Sequence, residues 1–242
     1  MSHTRLVEIS NVGPFDQLRT GRLPRRLIQL FVGLTLFGVA IALMVRAGIG
    51  LAPWDVLHSG LTHWVPLSIG QLIVVVSFLV LLLWLPLGEY PGVGTLANAV
   101  VIGLVADATL TVLPPVDDLL GRAALMIAGV VLNGLSSAIY IGAQLGRGPR
   151  DGLMTGLARR TGWSLRLVRT GLEVIVLAAG LVLGGVAGVG TVVFALSIGP
   201  LTQFFLPLVT VRVGDPGVRR NDGKVRDAAS QGSPDPQPLT CG

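Results

Sequence analysis

The phrase GLAPWDVLHSGL at residues 50–61 returns as GRGPRDGLMTGL at residues 146–157, and no other feature constrains the fold of this chain so strongly. Pro53 and Pro149, Asp55 and Asp151, Gly60 and Gly156, and Ser68 and Ser164 all stand 96 positions apart. The same offset of 96 joins Arg26 to Arg122, Gly33 to Gly129, Gly38 to Gly134, GVGT at 92–95 to GVGT at 188–191, and Gly103 to Gly199. No gap is needed, so chance likeness between apolar segments explains it poorly. Self-similarity at a fixed period marks a repeated structural unit.

What is repeated is apolar. The chain has 51% hydrophobic and 13% charged residues and a mean hydropathy of +0.73, far from the soluble average of about a quarter charged. A spanning helix needs about 20 mostly apolar residues. Six segments qualify, at 27–46, 68–87, 93–113, 122–144, 165–185 and 189–211. The expected fold is therefore all-α and polytopic, with membrane repeats at 25–113 and 121–211. The 33 glycines fit close helix approach in lipid, where no hydrophobic drive favours association. A cleaved signal peptide at 27–46 is disfavoured, because that helix has a counterpart deep in the chain.

Each copy holds an odd number of spans, so the second must enter the membrane from the opposite side. The charges agree. Arginines gather before the first span, in the middle (Arg147, Arg150, Arg159, Arg160) and after the last, all cytoplasmic if the amino terminus is inside. The segment after Gly50 and the turn PPVDDLLG then fall outside. Two inverted three-helix repeats are the expected architecture, a construction shared by many secondary transporters whose sites lie where the copies meet.

Proline at a first helical position needs no amide donor, and a carboxylate two residues on favours the positive end of the helix dipole. Each Pro-Asp segment therefore reads as a short helix, with Gly60 and Gly156 as stops. Two readings stay open. Asp55 and Asp151 either cap interfacial helices lying flat on the two membrane faces, or tip re-entrant elements buried in protein or lining a watery cavity.

Ionisable groups in spanning helices are costly and count as functional candidates. Asp107 and Gln203 share the 96 offset and are expected to face one another across the repeat interface. Asn98 and Asn133 fit either interhelical hydrogen bonding or a pathway. Glu173 follows Arg169 by four residues and is expected to pair with it. His58 and His63 stand beside Trp54 and Trp64 at an expected headgroup level, which favours interface anchoring over metal binding. With Arg150 of the second Pro-Asp segment, the candidate pathway residues are Asp55, Asp151, Asp107, Gln203, Arg150, Asn98, Asn133 and Glu173.

No Ser-His-Asp or His-Glu-x-x-His spacing occurs, so no enzyme, catalytic set, cofactor or metal is expected. The lone cysteine, Cys241, builds no disulfide framework. The pI of 10.6 reflects membrane-flanking charge; without a nucleic-acid reading motif, nucleic acid is not an expected partner. Residues 1–24 and 214–242 read as disordered cytoplasmic tails.

LPRRLIQLFVGLTLFGVAIALMVRAGIGLAPWDVLHSGL, GRGPRDGLMTGLARRTG and GVGTVVFALSIGPLTQFF together resemble the YczE-like integral membrane proteins, grouped with YitT and YyaS, over about residues 23–212. The resemblance implies a bacterial plasma-membrane location and a helical fold, and supplies no substrate. The leading expectation is a small transporter or permease; the alternative is a non-transporting scaffold or accessory factor that binds a partner protein or lipid. A homodimer is compatible with six short-looped helices, though no residue demands one.

Overall fold

The computed structural model describes residues 23–210, which fold into helices joined by short turns; the calls for disordered tails at 1–24 and 214–242 fall almost wholly outside these residues. The helices are α1 (Leu23–Ala47), α2 (Pro53–Leu61), α3 (Ile69–Leu82), the single turn α4 (Trp84–Leu87), α5 (Val93–Val112), α6 (Leu119–Gly142), α7 (Pro149–Thr161), α8 (Leu165–Val182) and α9 (Val189–Val209). The periodicity read from the sequence reappears in their starts. Leu23, Pro53, Ile69 and Val93 open helices whose counterparts open 96 residues later, at Leu119, Pro149, Leu165 and Val189.

Local chemistry accounts for those starts. Pro53 and Pro149 open α2 and α7 with no side-chain cap before them. Ser68 and Ser164 cap α3 and α8 by accepting from the amides of Gln71 and Leu167. The glycines expected to stop the short helices do something else. Gly156 lies inside α7, which ends at left-handed Gly162, and Gly60 lies in the last turn of α2, where a Cβ would sit 2.7 Å from the Gly180 carbonyl of α8. Both glycines permit close packing rather than termination.

Among the described residues five segments are long and apolar enough to cross a bilayer: α1, α3 together with α4, α5, α6 and α9. The sixth expected span, α8, forms as an 18-residue helix but carries Arg166, Arg169 and Glu173. At a rise of about 1.5 Å per residue it is about 27 Å long, so its length suits a span and its charge sets it apart.

The two halves clasp each other reciprocally. Arg26, near the start of α1, donates to the carbonyls of Ala143 and Gln144 just past α6, at 2.9 and 2.6 Å. Arg122, near the start of α6, donates to Ala47 and Gly48 at the end of α1, at 2.7 and 2.8 Å. Each guanidinium thus meets the negative end of the opposite helix dipole, and α1 and α6 run antiparallel.

The recurring GVGT forms a second clasp. The Gly190 amide donates to Ile49 O at 2.9 Å, and the Gly94 amide to Leu145 O at 2.9 Å. The Leu51 amide donates to Thr191 Oγ1 at 3.1 Å, while Thr95 Oγ1 donates to Arg147 O at 2.7 Å. Gly50 (φ +132°) and Gly146 (φ +128°) sit between these contacts in backbone that L side chains rarely adopt, with no room for a Cβ against Thr191 and Thr95. Each stretch leading into a short helix is therefore held by the GVGT turn of the other half.

The halves differ in how they close. Gly70 of α3 meets Gly103 of α5 so tightly that a Cβ on Gly70 would stand 2.1 Å from Gly103 O. Gly199, which shares the offset with Gly103, has nothing within 4 Å, and α9 is largely exposed.

Candidate functional site

The short helix α2 is nine residues long, about 14 Å at the usual rise and roughly half the hydrocarbon thickness. Seven of its nine residues are buried, including Asp55 and His58. Its burial runs around the circumference instead of along one stripe, unlike a helix lying in an interface. α7 enters from the other half, with Pro149, Gly152, Leu153, Met154 and Gly156 buried. The two helices share an apolar cluster, in which Trp54 of α2 and Leu153 of α7 join Val80, Trp84 and Val176. Trp84 also fixes the tip of α7, since its indole Nε1–H donates to Pro149 O at 2.9 Å.

Between the two tips lies a cavity of about 30 Å³. Its polar wall comprises Trp54, Asp55 and His58 from α2, Ser77 from α3, Asn98 from α5 and Arg150 from α7, and its apolar wall comes mainly from α1, α3 and α5. A space of that size holds about two water molecules, or one small polar group. Asp55 is 2% exposed and its Oδ1 lies 3.3 Å from Nδ1 of His58. The Arg150 guanidinium carbon lies 5.6 Å from the Phe37 ring centre, a cation–π contact. Among the described residues no carboxylate stands within 4 Å of that guanidinium and no hydrogen bond engages it.

Asp151, next in the chain, accepts from the Tyr140 hydroxyl at 2.6 Å. Tyr140 packs edge-on against Phe37 at 6.2 Å, so the aromatic pair links the cation of Arg150 to the anion of Asp151. Three of the eight sequence candidates, Asp55, Asn98 and Arg150, thus line one cavity. Asp151 stands beside it.

The rest lie elsewhere. Asp107 accepts the Ser68 hydroxyl and, at 2.9 Å, the Gly70 amide, so it fastens the start of α3. Gln203 is exposed on α9, and the facing pair expected of Asp107 and Gln203 does not form. The reason is the unequal closure of the two halves. Glu173 pairs with Arg169 at 3.0 Å as the spacing required. Asn133 is 2% exposed, and among the described residues its Nδ2 has no hydrogen-bond partner, so of its two readings the interhelical bond is not made through that amide.

Trp54 and His58 correct the sequence reading further. Expected as headgroup anchors, they are 7% and 6% exposed and belong to the cavity wall, whereas Trp64 is 71% exposed. The signal was present: Trp54 and Arg150 share the 96 offset, so each stands at the tip of its short helix just before the aspartate.

Comparison with known proteins follows this geometry. An "Uncharacterized protein" of Haemophilus influenzae is 41% identical over 180 residues, 74% of this chain and 83% of the relative. The "Uncharacterized membrane protein YczE" of Bacillus subtilis is 35% identical over 180 residues, 73% of this chain and 83% of its own. "Uncharacterized protein YyaS" of the same organism is 28% identical over 185 residues, 74% of this chain and 90% of its own. No solved structure matches the chain. The model of the family of unknown function DUF6198 covers residues 24–207, a stretch that contains both short helices and the whole cavity wall, and the chain belongs to that family.

Proposed function

We propose that this integral membrane protein is a small transporter or permease of the bacterial plasma membrane, with both termini cytoplasmic and its site where two inverted three-helix repeats meet. One observation carries the reading: the tips of both non-spanning helices, one from each half, reach the same polar cavity. Ionisable groups inside a membrane protein are expensive, and they gather on transport pathways. Irregular backbone at membrane depth persists only where protein buries it or water reaches it, and the burial of α2 meets that condition. The antiparallel run of α1 and α6 supports the inverted arrangement. Arg147 precedes α7 and Arg159 and Arg160 lie in its last turn, a basic cluster that favours the cytoplasmic side. No catalytic role is part of this reading.

Flux into proteoliposomes tests it. Wild-type protein is expected to move a solute that Asp55→Asn and Asp151→Asn variants no longer move. Absence of flux across a broad solute screen, with a stoichiometric partner retained through purification, would replace the permease with a scaffold.

A further inference from the structure

We infer that the cavity between the short helices binds an oxyanion group, a carboxylate or a phosphate, through the guanidinium of Arg150 and the indole N–H of Trp54. The inference rests on the reading of that cavity as a binding site and names the chemistry of what enters it.

The positive and negative groups of the wall are not equally engaged. Asp55 is held by His58 at 3.3 Å and stands in the first turn of α2, where the helix dipole favours a carboxylate. Among the described residues Arg150 meets the face of Phe37 and makes no hydrogen bond or ion pair. A guanidinium presents five donors in a planar fork, and an aromatic face satisfies none of them. Arg150 is partly buried and lines the small polar cavity, so its donors are open to whatever group that cavity holds.

A second, independent group points the same way. Trp54 is 7% exposed, and among the described residues its Nε1 has no hydrogen-bond partner. Buried indole N–H groups ordinarily find an acceptor. Trp54 and Arg150 share the 96 offset, so the two halves place one unpartnered donor each at the same position of their short helices. The positive end of α7 is already met by Asp151 in its first turn, so the oxyanion rests on the side-chain donors. Asn98 contributes an amide from α5. The carboxylates at and beside the cavity, Asp55 and Asp151, already meet His58 and Tyr140, whereas the two donors are left over, and the small volume of about 30 Å³ suits a single charged group rather than a bulky solute.

Equilibrium binding of labelled acetate and labelled phosphate to the full chain, in nanodiscs of zwitterionic phosphatidylcholine, is the test, with labelled choline as the cationic counter-probe. At least one anion is expected to bind and choline is not. Arg150→Gln should weaken the anion by about 10- to 100-fold, the loss of hydrogen bonds to a charged group. Arg150→Lys should restore part of it, which a folding defect at this position would not. Trp54→Phe should weaken it by about fivefold, a single neutral donor, and Asp55→Asn should not weaken it. Adding phosphatidylglycerol separates the sources: displacement of the small anion assigns the oxyanion to a lipid headgroup, and no displacement assigns it to a dissolved solute. Choline binding that depends on Asp55, failure of both anions to bind, or anion binding indifferent to Arg150→Gln overturns the inference. Anion binding without flux would sink the permease and leave this site standing, while flux of a cation without anion binding would do the reverse.

Discussion

Gly152→Ala puts the seating of α7 to a quantitative test. A Cβ on Gly152 would lie 2.0 Å from Cζ2 of Trp84 and 2.4 Å from Cη2, far inside contact distance. The obstacle is a rigid ring, 3% exposed and tethered through Nε1 to Pro149 O at 2.9 Å, so it cannot swing aside as a flexible chain would. Overpacking of this kind costs about 1–3 kcal/mol. Losing the indole hydrogen bond costs about 1 kcal/mol more, and the better helix propensity of alanine returns about 1 kcal/mol. The net destabilisation is therefore about 1–3 kcal/mol, set by the clash.

Gly171→Ala in α8 is the control, because nothing lies within 4 Å of a Cβ there and only the propensity gain, about 0.5–1 kcal/mol, remains. At about 2–4 °C per kcal/mol for a chain of this size, the two variants should melt roughly 3–16 °C apart, with wild type between them. Thermal unfolding in detergent, followed by intrinsic fluorescence or light scattering, reads the difference. In a Trp84→Phe background, where the outer ring is gone, Gly152→Ala should lose most of its cost, a coupling that neighbours show and distant sites do not. Equal melting of Gly152→Ala and Gly171→Ala, or an undiminished cost in the Trp84→Phe background, would refute the reasoning.

Two further expectations concern side chains that share an offset but not a role. Asp107→Ala leaves the Gly70 amide without its acceptor and should cost about 1–3 kcal/mol by the same melting assay. Gln203→Ala, on an exposed face, should stay within about 0.5 kcal/mol of wild type. Topology is accessible at Trp64 and Trp163, which are 71% and 61% exposed and follow the two short helices. In a Cys241→Ser background, an impermeant thiol reagent should label Trp64→Cys from outside and Trp163→Cys only from inside; labelling of both from one side would end the inverted arrangement.

The helix plan was legible because its signals are local or periodic. Apolar length, proline at the start of α2 and α7, and serine before α3 and α8 are read residue by residue, and the offset of 96 carried each assignment to the second half. The site was legible only in part, because sequence periodicity assumes that equivalent residues have equivalent neighbours. Asp107 and Gln203 show the limit: α3 closes on α5 through Gly70 and Gly103, whereas Arg166 stands where Gly70 would be and Gly199 is left open. Trp54 and His58 were misplaced for a different reason. Tryptophan and histidine next to a span suit a headgroup belt as well as a buried wall, and only the burial of α2 within the protein decides between them. The partnership of Tyr140 with Asp151 spans 11 residues and a helix break, with no spacing rule to announce it.

The exchange of Ile49 and Leu145 between the two GVGT turns has a consequence for biosynthesis. Until the second half is made, the Ile49 carbonyl and the Leu51 amide lack the partners that complete them, since Thr191 lies 140 residues beyond Leu51. Completion of that turn therefore waits for the last helix. Split between α5 and α6 and produced as separate polypeptides, the halves should rescue one another, each serving as the missing chaperone of its twin.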